Sequence, residues 1–138
     1  MDSVLHYVCG ERLEPHDYFR SLARTVLAIA RGGNAVFVGR GADLLLPQEC
    51  GLRVRIIAPK QRCIETYAER HGLDREAAAR EIERIVKERD AFIRRYFHRD
   101  PADPARYDLM LNLARLTPDD VIELVVEALQ RRGVPTAA

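Results

Sequence analysis

Apolar residues recur at two spacings along the chain, and together these predict alternating helices and strands. A spacing of three to four residues is typical of a helix with one buried face. Tyr18, Leu22, Val26 and Ile29 follow it. Short apolar runs that end at glycine or proline indicate strands. The predicted order is helix 13–33, strand 35–38, strand 53–58, helix 60–72, helix 73–97, strand 107–113 and helix 117–133.

Residues with special backbone or capping properties stand at the ends of the predicted helices. Gly32-Gly33 ends the first helix, and Gly72 ends the second. Asp74 is expected to cap the N-terminus of the long third helix. Thr117 has the same role in the last helix, where Pro118 suits the first turn. These boundaries are therefore predicted from local chemistry.

Strands that alternate with helices predict an α/β fold with a mainly parallel sheet. In such sheets, ligands bind beyond the carboxyl ends of the strands. Side chains that bind or react are therefore expected just after the predicted strands.

The tripeptide Gly39-Arg40-Gly41 occupies such a position, directly after strand 35–38. The planar guanidinium of arginine suits phosphate or carboxylate, and flanking glycines let a ligand approach the backbone. In the alternative interpretation the glycines only form a turn, and Arg40 pairs with a nearby acid such as Asp43. The tripeptide alone does not separate the two interpretations.

A second group of cations lies in and just after the predicted helix 73–97. Its members are Arg84, Lys87, Arg89, Arg94, Arg95 and Arg99. If the helix is unbroken, Arg89 falls in the middle of an apolar stripe that runs from Ile82 to Tyr96. A buried arginine is costly unless it is paired or faces a cleft. Arg89 is therefore predicted to be an inward-pointing anion ligand, with a structural ion pair as the alternative. Arg94 lies off the stripe.

Charge and cysteine content exclude several classes of function. The net charge of +1 gives no overall field to attract nucleic acid or an anionic membrane. No apolar run is long enough to span a bilayer. Cys9, Cys50 and Cys63 show no CxxC or Cys/His ligand spacing. We therefore expect reduced thiols, a cytoplasmic location, no metal site, and no nucleic-acid or membrane partner.

Four segments in this order resemble the cytidylate kinase-like family of nucleoside monophosphate kinases. They are GNAVFVGRGADLLL, LRVRIIAPKQRCIETYAERHGL, KERDAFIRRYF and YDLMLNLARL. The resemblance runs from about Tyr18 to about Leu129. It implies a P-loop kinase fold, here a partial three-layer α/β/α arrangement in a single domain of residues 1–138. It also implies a helical, arginine-rich lid at about 60–105.

The resemblance further implies a reaction and the residues that serve it. The family transfers the γ-phosphoryl of ATP, with Mg²⁺, to a nucleoside monophosphate. The implied substrate-binding residues are Gly39, Arg40, Gly41 and Arg62. Arg89 and Arg94 match catalytic lid arginines that surround the transferring phosphoryl group. Gly41 replaces an aspartate that contacts the nucleoside in cytidylate kinases, so cytidine specificity is not implied.

One family feature is absent from the sequence. The family begins with a strand and a glycine-rich phosphate loop, and this chain contains no GxxxxGK[ST] segment. The chain alone is therefore expected to be inactive with ATP. The strand that carries the loop is central in the family's sheet. We expect the gap to be filled in one of three ways: by an upstream segment, by residues 3–8 as a substitute strand, or by a partner chain or second copy.

Three functions follow as alternatives. The first is the acceptor-binding and lid portion of a nucleoside monophosphate kinase, with nucleotides as partners. The second is a non-catalytic module that binds a nucleotide or another anion around Arg40 and Arg89. The third is an interaction protein whose exposed sheet edge recruits a partner.

Overall fold

The computed structural model describes residues 15–133, with side chains from residue 17 onward. The chain divides between Leu46 and Pro47 into two compact units. Among the described residues, the first unit contains helices, and the second contains a sheet and three longer helices.

Two helices of very different length form the described part of the first unit. Helix α1 (Pro15–Gly32) has 18 residues and confirms the predicted helix. It ends where Gly33 adopts φ +68° and donates its N–H to the carbonyl of Ala30 at 3.1 Å. Helix α2 (Ala42–Leu45) is a single turn. Val26 is buried on α1, whereas Ile29 is 49% exposed, so only part of the predicted apolar face is covered.

The strand predicted over residues 35–38 is wrong. Residues 33–38 form neither helix nor strand, and Val36 and Val38 are 93% and 90% exposed. A strand needs a neighbour to accept and donate its backbone hydrogen bonds. The sheet in the described part of the chain contains only two strands, and both belong to the second unit.

A parallel pair of strands forms the sheet of the second unit. Strands β1 (Val54–Ile57) and β2 (Leu109–Asn112) pair in register, with Val54 opposite Leu109. Parallel neighbours require a long crossover connection. Helices α3 (Lys60–His71) and α4 (Arg75–Phe97), which pack against each other, provide it. The predicted mixed α/β class with parallel strands is therefore confirmed.

The predicted boundaries of α3 and α4 are also confirmed. Gly72 closes α3 in a left-handed conformation with φ +62°. Asp74 caps α4, because its Oδ1 accepts a hydrogen bond from the backbone N–H of Ala77 at 2.8 Å. Helix α4 then continues without a break for 23 residues to Phe97.

Helix α5 (Pro118–Arg131) begins with two reciprocal hydrogen bonds. The Thr117 hydroxyl accepts from the backbone N–H of Asp120 at 3.2 Å, and Oδ2 of Asp120 accepts from the backbone N–H of Thr117 at 2.7 Å. This is a capping box with aspartate at the third position. The predicted N-cap at Thr117 is thereby confirmed.

The C-terminal end of α5 is tied to the segments that lead into both strands. Arg132 Nη1 donates to Oδ2 of Asp108 at 3.0 Å and to the carbonyl of Gly51 at 2.8 Å. The same Asp108 oxygen accepts from the backbone N–H of Arg53 at 2.7 Å. We call these three contacts the Asp108 clasp. A charged group with several hydrogen-bond partners stabilises a fold more than a simple surface ion pair does.

The core of the second unit is small and is shared among its elements. Its buried apolar residues are Ile64, Ala78, Ile93, Leu111 and Val121. Large apolar side chains on β1, β2 and α5 stay partly exposed, among them Ile56 at 54% and Ile122 at 59%. Helix caps and hydrogen bonds therefore add to the modest contribution that apolar burial makes to the stability of this unit.

The sequence also led to predictions about the cysteines, a substitute strand, membrane-spanning segments and the extent of the domain and lid. Cys50 and Cys63 are free thiols, whereas Cys9 and the substitute strand at residues 3–8 lie outside the described range. Within that range, no helix has both the length and the apolar character needed to cross a membrane. The single domain of residues 1–138 and the lid at about 60–105 stay predictions.

We expect Asp120→Asn to flatten the acid dependence of the melting temperature. Hydrogen bonds from the backbone and hydroxyl of Thr117 hold the pKa of Asp120 below its usual value. A lowered pKa in the folded state stabilises the fold above the unfolded-state pKa, and this contribution is lost as the pH falls through the folded-state value. Thermal melts between pH 7 and pH 3 should therefore show a larger drop for the unmodified chain.

Asp119→Asn is the matched control, because Asp119 lies in the same helical turn but its carboxylate makes no hydrogen bond with the described residues. It should leave the pH dependence nearly unchanged. Equal effects of the two substitutions would contradict a specific role for the capping box.

Candidate functional site

A groove of about 780 Å³ opens between α3 and α4 in the second unit. Its lining begins at Ala58, directly after β1, continues through Lys60 and Cys63 of α3, and extends along α4 from Ile82 to Arg94. We call it the α3–α4 groove. It lies where parallel sheets usually bind ligands, at the carboxyl end of a strand.

Cations outnumber carboxylates in this groove. The charged side chains of the lining are Lys60, Lys87, Arg94, Glu83 and Asp90. Among the described residues, Lys87 makes no ion pair. Arg94 lies 4.0 Å from Asp100, and its side chain is 62% exposed. Both cations can therefore approach a bound anion at little energetic cost, since exposed pairs are weak.

Lys60 and Glu83 form an ion pair between the two walls of the groove. Lys60 Nζ lies 2.5 Å from Oε1 of Glu83, and both side chains are 63% exposed. The hydrogen bond and charge of Lys60 hold the pKa of the Glu83 carboxyl below its usual value. This pair joins α3 to α4, and it partly neutralises Lys60, one of the three cations of the groove.

Arg89 is not inward-pointing in the structure. It lies on α4 and is exposed, although the helix is unbroken as the prediction assumed. The apolar stripe beside it is itself partly open, since Val86 is 46% exposed and lines the groove. A long arginine side chain reaches water from such a position, so its charge is not desolvated. The role of Arg89 as an anion ligand stays a prediction.

Arg62 lies in a second, smaller groove of about 370 Å³. It donates a hydrogen bond to the backbone carbonyl of Leu113, which follows β2. This contact connects α3 to the carboxyl end of β2. Arg70 and His71 line the same groove, and the ring of His71 packs against Tyr67 with 4.2 Å between the ring centroids. Arg62 therefore has a structural role, and its substrate role stays a prediction.

The tripeptide Gly39-Arg40-Gly41 belongs to the first unit and adopts one unusual conformation throughout. All three residues have positive φ angles, of 74°, 58° and 69°. Glycine adopts this left-handed region readily, whereas other residues do so with strain. Gly41 precedes α2, and its carbonyl accepts from the N–H of Leu44 at 2.9 Å. The glycines therefore serve the turn into α2. Phosphate binding by Arg40 stays a prediction, as does pairing with Asp43.

The structure brings some of the predicted residues together. Arg94 and Arg62 line two grooves that share Ala58 and Cys63, whereas Arg89 lines neither. Sequence reasoning missed Lys60, although its position just after Pro59 and the end of β1 was a usable signal. Within residues 17–133, no cluster of three or more His, Cys, Asp or Glu side chains could hold a metal ion.

Comparison with known families shows which family the chain belongs to. A model of the cytidylate kinase-like family matches residues 2–115. The chain belongs to the cytidylate kinase-like family. This confirms the resemblance seen in the sequence, and the match includes all four predicted arginines, Arg40, Arg62, Arg89 and Arg94.

Two further comparisons involve longer proteins. This chain is 30% identical over 115 residues to a Corynebacterium glutamicum protein named uronate isomerase. The matched stretch is 82% of this chain and 22% of that protein. It also resembles the crystal structure of an uncharacterized protein from Eubacterium ventriosum, with a TM-score of 0.70 and 20% identity. That likeness covers 78% of this chain and 64% of the other, and it shows the fold alone. The chain thus spans about a fifth of its curated relative.

We expect Gly39→Ala to lower the free energy of unfolding of the first unit by about 1–2 kcal/mol, the usual cost of a left-handed conformation for a residue with Cβ. No neighbouring atom would obstruct the new methyl group, so the cost comes from the backbone. Urea denaturation followed by circular dichroism would measure it.

Gly32→Ala is the control, since Gly32 also has open space around it but has no positive φ. That variant should be as stable as the unmodified chain or slightly more stable. A Gly39→Ala variant of unchanged stability would contradict the left-handed turn.

Proposed function

We propose that this chain binds the phosphate groups of a nucleotide in the α3–α4 groove and forms the acceptor-binding and lid portion of a nucleoside monophosphate kinase system. The observation that carries the proposal is the set of three cations, Lys60, Lys87 and Arg94, that line a groove beginning directly after β1. Membership of the cytidylate kinase-like family supports it.

The chemistry of phosphoryl transfer suits such a groove. The reaction needs positioning and positive charge around the transferring group rather than covalent participation by the protein. Arginine and lysine side chains on a helix that closes over the phosphates provide both, and closure excludes water. Arg94 is the α4 arginine that lines the groove, and we assign it the catalytic position. Arg89, exposed on the same helix, would have to turn toward the ligand on closure.

Arg62 and the tripeptide Gly39-Arg40-Gly41 enter the proposal as substrate-binding residues. Arg62 borders the smaller groove next to the first. Arg40 would contact the acceptor phosphate, as the family resemblance implies. Arg40 follows residues 33–38, which form no strand and include the exposed Val36 and Val38, so this contact needs its own test.

ATP and Mg²⁺ are the cofactors of the proposed reaction, but the described residues do not fit a protein-held metal ion. The sequence also contains no glycine-rich phosphate loop. In this proposal the chain contributes the acceptor site and the lid, and the ATP phosphates are held elsewhere. The name of the curated relative contributes nothing to this proposal, because the shared stretch is 22% of that protein.

Nucleotide binding should depend on Arg94. We expect isothermal titration with CMP, UMP and AMP to show binding that Arg94→Gln weakens about tenfold, as is typical when a charge-assisted hydrogen bond is lost. Arg80→Gln is the matched control. Arg80 is on the same helix and pairs with Glu76 at 3.7 Å, but it lies outside the groove.

The same titration tests Arg40. Arg40→Gln should weaken binding while leaving the melting temperature within about 2 °C, as expected of an exposed substitution. If Arg94→Gln and Arg80→Gln bind equally well, the groove assignment is wrong. If Arg40→Gln binds like the unmodified chain, the assignment of Arg40 to the acceptor phosphate is wrong.

Turnover should be absent from the purified chain. Because phosphoryl transfer requires the ATP phosphates to be held in line with the acceptor, we expect no ADP above background with ATP, Mg²⁺ and CMP, UMP or AMP. A coupled assay with a complete nucleoside monophosphate kinase as positive control would detect it. ADP formation that depends on the acceptor would refute the claim that the chain is an incomplete catalyst.

A further inference from the structure

One glutamate of α4 has an ion-pair partner on another helix, unlike the other paired glutamates of α4. Glu76, Glu81 and Glu88 pair with arginines three or four residues away on α4 itself. Glu83 instead reaches Lys60 on α3, with 2.5 Å between Nζ and Oε1. Among the described residues, it is the α4 glutamate that forms an ion pair with another helix.

The position of this pair is significant because both members line the α3–α4 groove. Lys60 is in the first turn of α3, two residues beyond Ala58 at the end of β1. It is therefore the lysine placed closest to the strand end where ligands of parallel sheets bind. Its ammonium already has an anionic partner, and that partner is part of the protein.

We propose that Glu83 is an internal competitor for the anion site, and that a phosphate-bearing ligand binds the groove by displacing Glu83 from Lys60. The inference rests on the proposed function and adds a regulatory element to the same groove. Displacement is feasible because both side chains are 63% exposed, and exposed ion pairs are weak. The freed carboxylate can turn into water without being buried.

For ligand affinity, this proposal predicts the opposite change from that expected when a ligand-binding residue of the groove is replaced. Removing the charge of Glu83 should strengthen ligand binding instead of weakening it. Isothermal titration with inorganic pyrophosphate and with CMP would compare the unmodified chain with Glu83→Gln. We expect binding to become about threefold tighter or more, in line with the modest strength of an exposed pair.

Two controls separate displacement from a general effect of charge. Glu76→Gln removes the same charge from the same helix but outside the groove, and it should leave affinity unchanged. In a Lys60→Gln background the Glu83→Gln substitution should give a smaller gain, because only charge repulsion is removed and no lysine is released. Circular dichroism melts would establish that each exposed substitution leaves the protein folded.

The outcomes distinguish this inference from the proposed function. If pyrophosphate and CMP bind in an Arg94-dependent way but Glu83→Gln binds equally or less well, the competitor role is refuted and the groove assignment stands. The role is also refuted if Glu76→Gln gives the same gain or if the gain from Glu83→Gln is as large without Lys60. If no variant binds either probe, both proposals fall together.

Discussion

Because β1 and β2 run parallel, the chain must return along the full length of the sheet between Ile57 and Leu109 before the second strand can begin. The two helices of that return, α3 and α4, stand side by side and leave the α3–α4 groove between them. Ala58, the first residue after β1, lines both grooves of this unit. The direction of one strand pairing therefore sets the position of the cations on which the proposed chemistry depends.

The second unit combines a small apolar core with several directed polar contacts. The Asp108 clasp fixes the C-terminal end of α5 to the entrances of both strands, and the capping box fixes the beginning of the same helix. Since buried apolar residues are few, these contacts add directional constraints to elements that burial alone would hold less firmly.

Features set by neighbouring residues could be predicted from the sequence, and features set by distant residues could not. The caps at Asp74 and Thr117 follow from side chains that reach backbone groups within three residues. The strand predicted at 35–38 failed because pairing depends on a partner elsewhere in the chain. Periodicity placed Arg89 on an apolar stripe but could not show that this stripe is partly open. The Lys60–Glu83 pair joins residues of two helices, which no local spacing indicates.

The length of α4 has a mechanical consequence. With a rise of about 1.5 Å per residue, Arg94 lies about 28 Å along the axis from Arg75, where the helix begins. A rigid rod of this length amplifies rotation, so a tilt of about 10° at the Asp74 end would carry the guanidinium of Arg94 through about 5 Å. Lys60 holds α4 part-way along this rod, through Glu83. If α4 tilts about its Asp74 end when this contact is released, Arg94 moves farther than Glu83 does.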